Sequence, residues 1–319
     1  MGVFVFLPLV LPLTALPIAR LAEQHLHPRA ATRLLTVIGA ILGLSSTLCL
    51  GLLGVVGTAQ IPGNPLPDAW ADPEVRAAVP YDEAVGTGAI VALAVVVTAA
   101  LTTAWRQLRV RSEARAALAA VPYDSHRPDV AVLPDREAYA YAVPGRSGRI
   151  AVSTGMLACL DEGERRALIA HERAHLSARH HRYLLTVRLA ASVNPFLRPL
   201  REAVAYGTER WADEEAAGVV GDRRLTARAV GRAALAAPRA VPAGLAGFAA
   251  PGPVPRRVAA LLAPGPDARA WPPAASPAGL AALVAAAGTT ISAVSALNAS
   301  MALLLILHAA GAAPTNGLL

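Results

Sequence analysis

Residues 167–181 read ALIAHERAHLSARHH, and within them His171-Glu172-Arg173-Ala174-His175 sets two imidazoles four positions apart with a carboxylate beside the first. On a helix, positions i and i+4 lie about 40° apart around the axis, so both rings face the same way and can share one metal ion. Zn2+ suits such donors, at about 2.0–2.1 Å from nitrogen, and leaves places for a third protein ligand and a reacting group. Glu172, one step round the helix, is not a ligand. It is placed to act as general base toward water, the chemistry of peptide-bond hydrolysis. The competing account is a solvated helix whose charges pair at i,i+4 spacing.

Two ligands leave a zinc site incomplete. The strongest third candidate is Glu209, 34 residues after His175, in the stretch Glu209-Arg210-Trp211-Ala212-Asp213. Asp213 falls four positions on, on the same helical face, where a carboxylate can accept a hydrogen bond from the outer nitrogen of a ligand histidine and fix its tautomer. His180 and His181 fall off the ligand face of a continuous helix, which makes them polar or membrane-proximal surface. His25, His27, His126 and His308 have no partners at metal spacing. Tyr206 and Arg210 are near the third ligand in sequence, but nothing singles out either as a stabiliser of a developing oxyanion.

The elements that must position these residues are legible nearby. Alternation in Ala131-Val132, AYAYAV and RIAVST within 129–157 argues for short strands, and PGRSG is a turn signal. Asp161 with Glu164 has the form of a capping box, opening a helix that the pattern carries to about residue 190, before Asn194-Pro195 breaks it. Further helices are expected at about 197–218, 223–237 and 254–264. The Pro/Gly/Ala-rich stretch 238–255 between the last two reads as a loop.

Beyond this segment the chain is strongly apolar. It is 55% hydrophobic, 4% aromatic, and has a mean hydropathy of +0.45. Four stretches have roughly the 20 apolar residues that a bilayer span needs: about 3–19, 34–57, 86–105 and one within 278–310. Gly39 and Gly43 in the second have the spacing of close helix packing. A cleaved signal peptide is disfavoured for 3–19, because no basic residue precedes it and no small-x-small site follows. Arg20, Arg29 and Arg33 follow the first stretch, and Arg106, Arg109, Arg111 and Arg115 follow the third. Asp68, Asp72, Glu74, Asp82 and Glu83 occupy the 58–85 loop. The positive-inside rule then puts both termini outside and the segment 106–277 in the cytoplasm. All 29 basic residues are Arg, and no basic patch is interleaved with aromatics, so the net charge of +7 does not argue for a nucleic-acid partner. Cys49 and Cys159 lie too far apart in character to suggest a disulfide framework.

The stretches STGMLACLDEGERRALIAHERAHLSARHHRYLL and NPFLRPLREAVAYGTERWADEEA resemble the gluzincin core of membrane-bound metallopeptidases. Two branches come into view, the HtpX and CAAX prenyl protease type and the BlaR/MecR antirepressor type. The first carries membrane spans between the HExxH helix and the third-ligand glutamate. Here the 33 intervening residues hold Arg179, Arg182, Arg188 and Asn194-Pro195 and cannot form a span. Three apolar stretches before the catalytic segment and one after it match the BlaR/MecR layout, without the penicillin-binding sensor domain that follows the last span there. The resemblance implies an α-helical membrane protein with four transmembrane helices and an α+β gluzincin metalloprotease domain. Its parts would be 1–105 with three spans, 106–277 as the cytoplasmic protease, and 278–319 with the fourth span and a short tail. Carried over, His171, His175 and Glu209 are zinc ligands, Glu172 is the catalytic base, and Asp213 supports a ligand from behind. The implied partners are membrane lipid and a protein or peptide substrate, by resemblance a cytoplasmic repressor, held extended along an edge strand of the 129–153 sheet; an HtpX-like membrane-protein quality-control protease and a non-catalytic membrane receptor are the alternatives, and the intact Glu172 argues against the second.

Overall fold

The computed structural model describes residues 5–59, 61, 63, 66–67, 70, 82–119, 121, 128–145, 148–237, 254–266, 271 and 273–312. Asp68, Asp72, Glu74, His126, the turn tip Arg146-Ser147, residues 3–4 of the first apolar stretch and 238–253 of the Pro/Gly/Ala-rich stretch lie outside them.

The chain opens with α1 (Leu7–Val10), a 3-10 turn (Leu11–Thr14) and α2 (Ala15–His25). This is the stretch expected as the first span. Pro8, Pro12 and Pro17 break it into pieces, because proline lacks an N–H and its ring crowds the preceding turn. Pro12 cannot donate to the carbonyl of Pro8, and the hydroxyl of Ser46 donates to it instead at 2.6 Å. Among the described residues, three helices rather than four are long and apolar enough to cross a membrane. They are α3 (Pro28–Ala59), α4 (Asp82–Ala119) and α11 (Pro277–Ala312). α3 and α4 meet at Gly57 and Gly86, where a Cβ on either would fall 2.5 Å from backbone atoms of the other. Only glycine allows that approach. Gly39 and Gly43 have another use than joining two spans. They face Val187, Ala190 and Leu200, which belong to the segment around the metal motif.

That segment begins with a three-stranded sheet of β1 (Val130–Leu133), β2 (Ala140–Val143) and β3 (Arg149–Ser153), ordered β1-β3-β2. β1 runs parallel to β3 and β2 antiparallel to it, so β1 and β2 are the edges. A short α5 (Thr154–Ala158) leads into α6 (Glu162–Ser177). The capping box at its start is present: Glu164 N donates to Asp161 Oδ1 at 2.9 Å, and Asp161 N donates to Glu164 Oε2 at 3.1 Å. α6 does not continue to residue 190. Arg179 adopts a left-handed backbone at φ 54°, the chain turns, and α7 (His180–Val193) begins. Asn194 ends α7, its side-chain carbonyl accepting from Phe196 N while its amide donates to Ser46. α8 (Arg198–Val220), α9 (Arg223–Ala236) and α10 (Val254–Leu262) follow.

Two cores position the site. Val152, Met156, Ala167, Leu168, Val230 and Leu261 join the sheet to α6, α9 and α10. Leu35, Ile38, Leu42, Val187, Leu200 and Val204 join α7 and α8 to α3. α4 is continuous across the expected 105/106 boundary, and its Gln107 and Arg111 bind Arg188 and the His181 carbonyl of α7. α3 and α4 therefore pack directly on the segment that carries the metal motif.

Candidate metal centre

α6 packs one side on the sheet and another on α8, and the metal motif lies on the α8 side. His171 and Glu172 are fully buried and His175 is nearly so. His171 Nε2 and His175 Nε2 lie 3.1 Å apart. The Glu209 carboxylate of α8 straddles them, with Oε2 3.5 Å from His171 Nε2 and Oε1 3.5 Å from His175 Nε2. Among the described residues, these three form the group that could hold a metal ion. The distances pass a simple test. Donors at about 2.0–2.1 Å from a tetrahedral zinc are about 3.3 Å from one another, the edge of that tetrahedron. The two histidine nitrogens at 3.1 Å are close to that edge, and each has its own Glu209 oxygen at 3.5 Å, so the three side chains converge as ligands of one ion would.

The outer nitrogens are held as well. His171 Nδ1 lies 3.1 Å from Asp213 Oδ1, on the face of α8 four residues from Glu209, as expected from the spacing. His175 Nδ1 lies 2.8 Å from Nδ1 of His180. His180 was expected at the surface because a continuous helix would turn it away from His171. It is fully buried, because the left-handed Arg179 restarts the helix in a new direction and brings the ring back onto His175. His181 does remain outside the donor group; it is half-buried, and its carbonyl accepts from Arg111.

A residue that sequence reading passed over completes the centre. Arg257 of α10 is fully buried, donates to Asp213 Oδ2 through Nε at 2.8 Å and to Oδ1 through Nη2 at 2.7 Å, and pairs with Glu209 Oε2 at 3.0 Å. Burial by itself pushes both carboxyls up, but the Arg257 guanidinium outweighs it and holds Glu209 and Asp213 below their ordinary values. Burial likewise lowers His171, yet Asp213 and Glu209 raise it to about 9, whereas His175, with no carboxylate at its outer nitrogen, is pushed down by burial to about 4. A signal for Arg257 exists in the sequence: Val254, Arg257, Val258 and Leu261 share one helical stripe, so an arginine sits where an apolar residue belongs. α10 is secured by Arg223, which donates to the carbonyls of Ala260 and Leu261 and pairs with Glu214.

Tyr206 and Arg210 are engaged elsewhere. The Arg256 guanidinium sits over the Tyr206 ring at 4.3 Å, and Arg210 Nη2 pairs with Glu214 Oε1 at 2.8 Å.

Comparison with known proteins yields one match. The model of peptidase family M48 matches residues 100–206, about a third of the chain. The matched segment holds the sheet and the whole of α6, with His171, Glu172 and His175, and ends three residues before Glu209. No curated protein and no solved structure matches the chain. The match is coarser than the antirepressor branch named above. Together, the family match, the buried donor group and the three long apolar helices support a membrane metallopeptidase of the M48 kind.

Proposed function

We propose that the protein is an integral-membrane zinc endopeptidase whose ligands are His171, His175 and Glu209. The observation that carries this reading is the convergence of the two histidine nitrogens, 3.1 Å apart, with the two Glu209 oxygens at 3.5 Å, and a buried carboxylate, Glu172, on the same helix as the histidines. Zinc bound there supplies a Lewis acid that polarises the scissile carbonyl and acidifies the attacking water. Glu172 takes the proton from that water onto its carboxylate and passes it to the leaving amine nitrogen. Asp213 accepts the outer N–H of His171 and keeps the inner nitrogen free to bind. Glu172 is fully buried, so a peptide bond reaches it only when the elements around α6 move. The edge strand β2 packs against α6 and offers main-chain groups to an extended polypeptide.

The cytoplasmic face is the proposed side of catalysis, with residues 3–19 counted as a fourth span and both termini outside. Supporting it, Arg29 and Arg33 of the first basic loop lie over the Trp211 ring of α8 at 5.4 and 5.5 Å, and Arg256 pairs with Glu23 at 2.8 Å. These contacts between the basic start of α3 and the metal helices are what support that reading. The proposed substrate is a cytoplasmic repressor, a reading that rests on the resemblance in span layout.

Replacing Glu172 by Gln tests the chemistry. The variant is expected to keep its metal and lose cleavage by about 10²–10⁴-fold, since an amide cannot take the proton. Cleavage at the wild-type rate removes Glu172 from the mechanism. Quantitative proteomics of the same pair tests the substrate: one accumulating repressor supports regulated proteolysis, and many accumulating membrane proteins point to quality control instead. For orientation, a cysteine at Ser112 should resist an impermeant reagent in intact cells while one at Asp72 reacts. The reverse pattern overturns the topology and the cytoplasmic substrate with it.

A further inference from the structure

The two metal-facing histidines present their inner nitrogens alike and differ in what stands behind them. Behind His171 is the carboxylate of Asp213. Behind His175 is another imidazole, His180, with Nδ1 to Nδ1 at 2.8 Å, ring centroids 4.7 Å apart and planes at 85°. Two ring nitrogens at that distance share one proton, so one donates and the other accepts. If His180 donated, His175 would carry its own proton on Nε2, aimed among the donors and blocking its lone pair. If His180 accepts, His175 holds its proton on Nδ1 and its Nε2 lone pair is free.

We propose that His180 is a positioning residue of the metal centre: its Nδ1 accepts the Nδ1–H of His175, fixing the tautomer and ring angle in which His175 Nε2 can bind a metal. This rests on the metal reading of His171, His175 and Glu209. It requires His180 to be neutral and to carry its proton on Nε2. The surroundings favour that state. The ring is fully buried, meets the Trp211 indole edge-to-face with centroids 4.7 Å apart, and has Tyr183 at 6.5 Å. The charged groups around its Trp211 neighbour are the Arg29 and Arg33 guanidiniums over the ring and Glu215, whose carboxylate accepts the indole N–H at 3.1 Å. Among the described residues His180 Nε2 has no hydrogen-bond partner, and an N–H beside an aromatic ring is a tolerable arrangement for it. His180 does not act as a fourth ligand here, because it addresses the outer nitrogen of His175 rather than the point where the three donors converge.

The test uses the full chain purified in detergent and loaded with Zn2+ or Co2+. His180→Leu removes the acceptor, and its metal affinity by chelator competition should fall about 10–100-fold, the usual effect of losing such a partner. In His180→Asn, Oδ1 takes the place of Nδ1, and affinity and the cobalt absorption bands should stay close to wild type. Imidazole nitrogen NMR of the zinc-loaded wild type, which needs no variant to fold, should find His175 protonated on Nδ1 and His180 on Nε2. Wild-type affinity in His180→Leu, equal losses in the Leu and Asn variants, or a proton on His180 Nδ1 each overturn the role of His180 while leaving the metal reading intact. A wild-type chain that takes up neither metal overturns the metal reading and the inference built on it.

Discussion

The two flanks of the metal centre solve the same problem with opposite electrostatics. On the His171 flank, Asp213, Glu209 and Arg257 form a fully buried ion network contributed by α8 and α10. On the His175 flank, His180 and Trp211 form a neutral aromatic stack, with Arg29 and Arg33 of α3 over the indole and Glu215 accepting its N–H. A buried ion network is strong while every partner is present and costly once one is removed. A neutral imidazole needs no counter-charge, so that flank bears little desolvation cost and orients through one hydrogen bond and ring packing. The lesson is that stability and ligand geometry are separable at this site.

Arg257→Met should separate them most sharply. It leaves the Asp213 and Glu209 carboxylates buried without their cation, and the metal-free protein should lose about 3–5 kcal/mol, read from denaturation in detergent with chelator present. Unchanged stability would mean that the network is not the closed buried system described. Asp213→Asn comes next. It should weaken zinc binding by about 10–100-fold, because the amide accepts the His171 N–H without the charge that strengthens the bond. A loss much smaller than that of His180→Leu would make the neutral flank the dominant one. Trp211→Phe keeps a ring against His180 but removes the indole N–H that donates to Glu215 at 3.1 Å. Its expected cost is about 1 kcal/mol, with metal affinity unchanged. The smallest effect belongs to Arg29→Gln and Arg33→Gln. Both arginines are exposed, and each cation–π contact should contribute about 0.5–1 kcal/mol to the melting transition and nothing to the metal. A metal effect from either would mean that α3 reaches the centre through Trp211.

Elements with local causes were legible before any coordinates. The box of Asp161 and Glu164 set the start of α6, and the four-residue repeat of His171 and His175, and of Glu209 and Asp213, put each pair on one helix face. Strand alternation located β2 and β3. Apolar length located α3, α4 and α11, while the three prolines of residues 3–19 gave pieces where hydropathy suggested a span. The misreadings share a cause. One helical period carried across Arg179 puts His180 on the surface, and a single left-handed residue turns it inward instead. Gly39 and Gly43 kept their role in close packing, but their partners lie about 150 residues away.

By itself, then, the sequence determined the candidate donor types, their helix faces and the candidate base Glu172, because these follow from spacing along one helix. Tertiary structure alone decided that Glu209 closes the triangle, that Arg257 charges one flank and that His180 backs the other. Those relations join α6, α7, α8 and α10 across gaps of five to 48 residues, and only packing fixes where such helices meet.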